Sequence, residues 1–227
     1  MMISPESYYE EYLKGKTKEE IMTAIRGLKQ EIGHLKNSME KPYDGMKTVI
    51  HPSEDTCIYW SREYLDIAKQ AYVEAGGTYT LSKSEEKAAD FDANINAICK
   101  ITFNIGGYFG GYSTYIVELS EEMKTYTKLW EDEEPLSLWD DDNEEPFTKE
   151  TFISALKDLY IGEWRRRYST ERFGYMVCDG TQWELEFEYS NGHKPARFNG
   201  DNSYPYNFDK FQMLFGIENT GEEDEDE

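Results

Sequence analysis

The side chains able to do chemistry fall into a few short stretches. Gly106-Gly-Tyr-Phe-Gly-Gly111 is glycine-rich, and such backbone can wrap a phosphate. It lacks the G-K-[ST] ending of a phosphate loop and the G-x-G-x-x-G of a dinucleotide site. It also lies between two strand-like segments, with no following helix whose N-terminus would favour an anion. The pattern predicts a turn or bulge that uses positive φ. His34, His51 and His193 include no pair at metal-ligand spacing. Cys178 and His193 would form a nucleophile–base pair only through the fold; nothing local joins them, and surface or cap positions are expected for the histidines. Glu184, Glu186 and Glu188 share one strand face. Paired carboxylates can hydrolyse glycosides, but regular alternation reads as the solvent face of a half-buried sheet, and nothing splits their environments as acid–base work requires.

Two stretches point to binding. Arg165-Arg-Arg167 is a basic cluster flanked by Trp164 and Tyr168. Arginine beside aromatics can grip phosphate or nucleic acid. Three arginines are a small footprint on an acidic chain, so no direct nucleic-acid binding is expected. Their expected partners are internal: the Glu184/Glu186/Glu188 face or the acidic stretch described below. Asn202-Ser-Tyr-Pro-Tyr-Asn207 is an aromatic loop that either buries its rings on a sheet or presents them. Loops on rigid scaffolds carry binding function, and tyrosine is favoured at interfaces. The candidate partner-binding surface is therefore Arg165, Arg166, Arg167, Trp183, Asn202, Tyr204 and Tyr206. No catalytic residue, metal ligand or cofactor site is assigned.

The elements that position these residues follow from periodicity. Thr17-x-x-Glu20 is a capping box, and Ile21, Ile25, Leu28, Ile32, Leu35 and Met39 repeat at helical spacing up to about Glu40. A second helix starts at Pro52-Ser53-Glu54-Asp55, presents Cys57, Trp60, Tyr64, Ala68, Ala71 and Ala75, and stops at Gly76-Gly77. The two predict an antiparallel helical hairpin. A shorter helix follows Ser82 or Ser84 and ends near Phe91. The period then becomes 2: strands are expected at Ile101–Ile105, Tyr112–Leu119, Met123–Trp130, Thr181–Tyr189 and Lys194–Asn199, with Asn191-Gly192 as a tight hairpin turn. Phe147-Thr148 staples and caps a helix through Phe152, Leu156, Leu159 and Tyr160; Asn207 caps a last one through Phe208, Phe211 and Leu214. The fold class is α+β: an N-terminal helical hairpin region (1–92), then an antiparallel sheet with two packed helices (93–217), interrupted by an acidic linker at 131–146 and followed by an acidic tail at 218–227.

Asp179-Gly-Thr-Gln-Trp-Glu-Leu-Glu186, Tyr189-Ser-Asn-Gly-His-Lys-Pro195 and Asn202-Ser-Tyr-Pro-Tyr-Asn-Phe208, together with His34-Leu-Lys-Asn37 and Tyr108-Phe-Gly-Gly111, resemble a group of uncharacterised bacterial proteins that share this C-terminal pattern. The resemblance covers most of the chain. It implies a shared fold and carries no activity, cofactor or catalytic residue.

Composition bounds the remaining choices. The chain has 227 residues, 15% of them aromatic, enough to bury a core without disulfides or metal. Cys57, Cys99 and Cys178 are dispersed and odd in number, which predicts a reducing, cytoplasmic setting. No secretory signal or membrane-spanning run is read. Of the net charge of −22, nine acids lie in 131–145 and seven in 218–227, with no Lys or Arg in either; the other residues sum to −6. Blocks of like charge repel and stay solvated, so both stretches are expected to be loosely held, with Leu136, Leu138 and Trp139 pinning the first. Three functions remain open: a non-catalytic protein-binding protein of inhibitor, immunity or adaptor type with a protein partner; a nucleic-acid mimic that blocks a defence or DNA-processing enzyme; and an enzyme built on residues assembled only in space.

Overall fold

The computed structural model describes residues 3–41, 51–108, 110–120, 122–129, 132–140, 145–177 and 179–217. The chain divides into two compact units, 1–81 and 82–227. The tail beyond 217 lies outside the described residues, so its expected looseness is not addressed.

In the first unit, α1 (Pro5–Tyr8) runs into a π-turn (Tyr9–Leu13), followed by α2 (Lys18–Met39) and α3 (Glu54–Glu74). The Thr17 hydroxyl accepts the Glu20 N–H at 3.3 Å, and the Glu20 carboxylate accepts the Thr17 N–H at 2.9 Å. This reciprocal cap satisfies two donors that a helix start leaves open. Beyond it, Ile21, Ile25, Leu28 and Ile32 bury one face of α2. α3 ends in a Schellman turn: Gly77 N–H bonds Tyr72 O, Gly76 N–H bonds Val73 O, and Gly76 has φ +80°. The two long helices pack as the expected hairpin, closed at one end by Leu13.

The buried face of α3 differs from the expected one. It is Ile58, Ser61, Leu65, Ala68 and Ala71, whereas Cys57, Trp60 and Tyr64 are half-buried and Ala75 is exposed. The aromatic side of that stripe meets the N-terminal segment. Tyr8 stacks on Tyr64 at 4.3 Å, and the Tyr64 hydroxyl donates to Ile3 O (2.7 Å) while accepting Ile3 N–H (3.1 Å).

The second unit holds α4 (Lys83–Asn94), β1 (Ile98–Gly107), β2 (Gly111–Leu119), β3 (Met123–Leu129), β4 (Asp132–Pro135), β5 (Trp139–Asp140), β6 (Glu145–Pro146), α5 (Lys149–Asp158), β7 (Arg167–Ser169), β8 (Thr181–Tyr189), β9 (Ala196–Asp201) and α6 (Phe208–Met213). Among the described residues, seven strands form one sheet in the order β4-β3-β2-β1-β8-β9-β7, antiparallel except for the parallel β7–β9 edge; β5 and β6 pair separately. The pleat sends Ile101, Phe103, Trp183, Leu185, Phe187 and Phe198 to one side, all at most 1% exposed. α6 and the turn after it press Phe208, Phe211 and Phe215 against Phe103. α5 adds Phe152, 6.2 Å from Phe215. α4 adds Phe91, 5.2 Å from Phe187.

Three local readings are corrected. Asn191-Gly192 does not close a two-residue hairpin: residues 190–195 form the loop and the return strand starts at Ala196, opposite Phe187. Pro195, which has no N–H for the ladder, stands just before that start. Asn207 makes no side-chain cap to α6; buried, it accepts from the Trp164 indole at 3.0 Å and donates to Leu159 O at 2.8 Å. The acidic stretch is partly built into the sheet. β4 pairs with β3, Leu136 N–H bonds Thr125 O (3.0 Å), and Leu138 is 4% exposed.

Candidate functional site

The candidate surface separates into buried and exposed groups. Trp183 is 1% exposed and packs over Gly200, where a Cβ would stand 2.1 Å from the indole nitrogen; its N–H donates to Ser203 O at 3.0 Å. Tyr206 is 8% exposed, and Tyr204 is half-buried with its ring 5.0 Å from that of Phe208. Asn202, at φ +48°, ties β9 to β8: its amide oxygen accepts Thr181 N–H and its own N–H donates to Thr181 O, each at 2.9 Å. The 202–207 loop is therefore a lid on the core, the first of the two roles open to it. Arg165, Arg166 and Arg167 are exposed. Their expected approach to the glutamate face is taken at Glu186 by Arg197, at 2.7 and 2.8 Å, and at Glu188 by Lys100, at 3.8 Å. Arg166 turns the other way. Its guanidinium lies 4.7 Å from the Phe198 ring centre and donates to Arg197 O at 3.2 Å.

That turn makes Arg166 one wall of a cleft of about 580 Å³ in the second unit. α4 supplies Lys87, Asp90 and Phe91, the end of β8 supplies Tyr189, and the 190–195 loop supplies His193 and Lys194. Each element is placed by its own sequence. α4 begins at a Ser82–Glu85 capping box and is held to the sheet by Phe91. The loop is tied to the end of α4 by Asn191 on Asn94 (2.8 Å) and by Ser190 N–H on Ala97 O (2.8 Å). Asn191 also accepts the His193 N–H at 3.0 Å, a local turn that aims the imidazole. Lys87 donates to Trp164 O and lies 5.8 Å from the Phe198 ring centre.

Two details give the cleft its chemistry. The first is His193. Its Nδ1 is 2.9 Å from Lys194 O, and its Nε2 is 3.1 Å from Asp90 Oδ2. A carbonyl and a carboxylate only accept, so a ring with one N–H donates to one of them at a time. A general base needs a nitrogen open to the substrate, and here each ring nitrogen stands within hydrogen-bond distance of a protein oxygen. The second is Tyr189. It is 8% exposed, and its hydroxyl is buried with no hydrogen-bond partner. Burial pushes its pKa from 10.0 up to about 12; the Arg166 charge opposes that rise and the Asp90 charge adds to it. A buried hydroxyl without a partner is rare in a folded protein, and here it lies among cleft residues.

The other sequence candidates stay apart. The glycine stretch is the β1–β2 hairpin, with Gly107 opposite Gly111 and Gly111 at φ +75°. His34 and His51 are exposed. Cys178 lies outside the described residues, so its pairing with His193 is not addressed. Among the described residues no group of His, Cys, Asp and Glu is placed to hold a metal ion, and no helix is long and apolar enough to cross a membrane. Lys87, Asp90 and Tyr189 were missed because they stand far apart in sequence; Asn191-Gly192-His193 was the local signal nearest to the site. Compared with family models, curated proteins and solved structures, the chain matches none.

Proposed function

We propose that this chain is a non-catalytic protein-binding protein, of inhibitor, immunity or adaptor type, that takes an acidic group of its partner into the cleft between α4 and the β8–β9 loop. The observation that carries this reading is the cleft itself, lined by Lys87, Arg166 and Lys194 in an otherwise acidic chain. An entering acid offers these cations a charge-assisted bond. The chain as a whole carries −22, so an acidic partner is not drawn in from afar; it is held by contact. The engaged ring of His193 favours binding over catalysis at this cleft. Cytoplasmic location goes with the reading, since Cys57 and Cys99 are unbridged thiols.

The nucleic-acid-mimic reading keeps one supporting observation: Asp132, Glu133 and Glu134 stand at strand spacing on β4. Three acids make a short ladder, and Lys128 lies 3.4 Å from the middle one.

The test is calorimetric titration of the full chain with a glutamate-rich peptide. Saturable binding is expected, weakened about tenfold or more by Arg166→Glu and by Lys194→Glu. An absence of binding, or binding that neither exchange affects, contradicts the proposal.

A further inference from the structure

We infer that the acid this cleft takes is the carboxylate at the end of a partner's chain, set beside a large apolar last side chain, an inference that rests on the acid-capture reading above. The arrangement of the lining is the first reason. Charged and apolar groups meet at the Phe198 ring: the Arg166 guanidinium lies 4.7 Å from its centre, the Lys87 ammonium 5.8 Å and the Phe91 ring 6.3 Å. A chain end carries its carboxylate and its side chain on one carbon, pointing apart, and so offers an acid and an apolar surface at the same time. A glutamate side chain ends in its carboxylate and has nothing apolar beyond it. Arg166 also donates to Arg197 O at 3.2 Å, so its planar fork is held before a carboxylate arrives and loses little freedom on binding.

The balance of charge is the second reason. Arg166 and Lys194 are exposed, whereas Lys87 is half-buried and already donates to Trp164 O. Asp90 is exposed as well, 3.1 Å from His193 Nε2. Whether or not that ring carries its second proton, Asp90 puts a carboxylate in the lining that repels a second acid. The cleft therefore suits one carboxylate better than a run of them, and a chain end brings one without needing a charged side chain. Size is the third reason. At about 580 Å³ the cleft is far larger than a carboxylate, and volumes of that order hold a large side chain or a small molecule. Exposed Pro195 and the buried Phe91 and Ala196 close part of that space with carbon, against which the last side chain packs.

The experiment titrates the full chain by calorimetry at about pH 7, where a terminal carboxyl is ionised. The probes are a short neutral peptide ending in phenylalanine, the same peptide with its terminus amidated, the same peptide ending in glycine, 3-phenylpropionate, and a glutamate-rich peptide with an amidated terminus. The phenylalanine free acid is expected to bind about tenfold or more tighter than its amide, which lacks the charge. It is expected to bind about fivefold or more tighter than the glycine-ended peptide, which lacks the apolar side chain. Arg166→Glu and Lys194→Glu, both at exposed positions, are expected to remove the preference for acid over amide. Equal affinity of acid and amide, or of the phenylalanine and glycine ends, overturns the chain-end inference. So does 3-phenylpropionate binding as tightly as the peptide, which would assign the cleft to a free small acid. If the amidated glutamate-rich peptide binds and the phenylalanine free acid does not, the chain-end inference fails and acid capture stands. If no acidic probe binds, both readings fail together.

Discussion

The Tyr189 hydroxyl is buried without a hydrogen-bond partner, a state that costs about 1–3 kcal/mol. Tyr189→Phe is therefore expected to raise the unfolding free energy by about 1 kcal/mol in a urea titration. No change, or a loss of stability, would mean that the hydroxyl has a partner after all. The same residue sets an alkaline limit. Its folded pKa is raised to about 12 from 10.0, chiefly by burial. Above the ordinary tyrosine value the unfolded chain gives up this proton while the folded chain keeps it, so stability falls as pH rises toward about 12. The loss is on the order of 2 kcal/mol, and melting curves of Tyr189→Phe over that range should lack it. At Gly200 the constraint is steric. An added Cβ would stand 2.1 Å from the Trp183 indole and 2.5 Å from Ser203 O. Gly200→Ala is expected to cost about 2 kcal/mol or more, read from the urea midpoint. Neither residue is conspicuous in the sequence. Tyr189 reads as one more inward position of an alternating strand, and its lack of a partner depends on what Lys87, Asp90 and Arg166 bring from distant segments.

Elements whose start and stop chemistry is local were legible. The Thr17–Glu20, Ser82–Glu85 and Thr148–Thr151 boxes all form, and Phe147 packs on Phe152 at 5.6 Å as a staple. Thr148→Ala is expected to cost about 1 kcal/mol. Asn207→Ala is expected to cost more, about 2–4 kcal/mol, because Asn207 satisfies two buried groups, the Trp164 indole and the Leu159 carbonyl. A thermal melt of the pair ranks them, and equal losses would mean that the two buried groups do not depend on Asn207. Elements that depend on a distant partner were not legible. β7 is three residues long and owes its existence to β9. β4 is a run of acids with one proline, which no propensity would place in a strand; it is held by the free edge of β3 and by the burial of Leu138. The buried face of α3 shifted because Tyr8, from a segment with little pattern of its own, covers Tyr64. The cleft follows the same rule: its loop was visible as a turn, but not what the turn faces.

At the scale of the whole molecule, most of the −22 sits in two stretches of sequence, and the cleft is a small cationic exception to it. Acid capture and mimicry therefore give opposite signs for the tail. If the partner is acidic, truncation after Asn219 removes a repulsion: association at low salt becomes modestly faster, and the difference fades as salt rises. If the chain mimics a polyanion toward a basic partner, the same truncation slows association. Stopped-flow traces of a glutamate-rich and of a lysine-rich peptide with both chain lengths at two salt concentrations decide between them: acid capture predicts saturable association of the acidic peptide, mimicry that of the basic one. The central claim, that acid capture occurs in this cleft, is tested most directly by mapping backbone amide shifts of the full chain during a titration with the glutamate-rich peptide. The account predicts that perturbations concentrate on Lys87, Asp90, Arg166, Tyr189 and the 191–196 loop. Shifts centred on the β1–β2 hairpin or on β4, or no saturable shift anywhere, would contradict it.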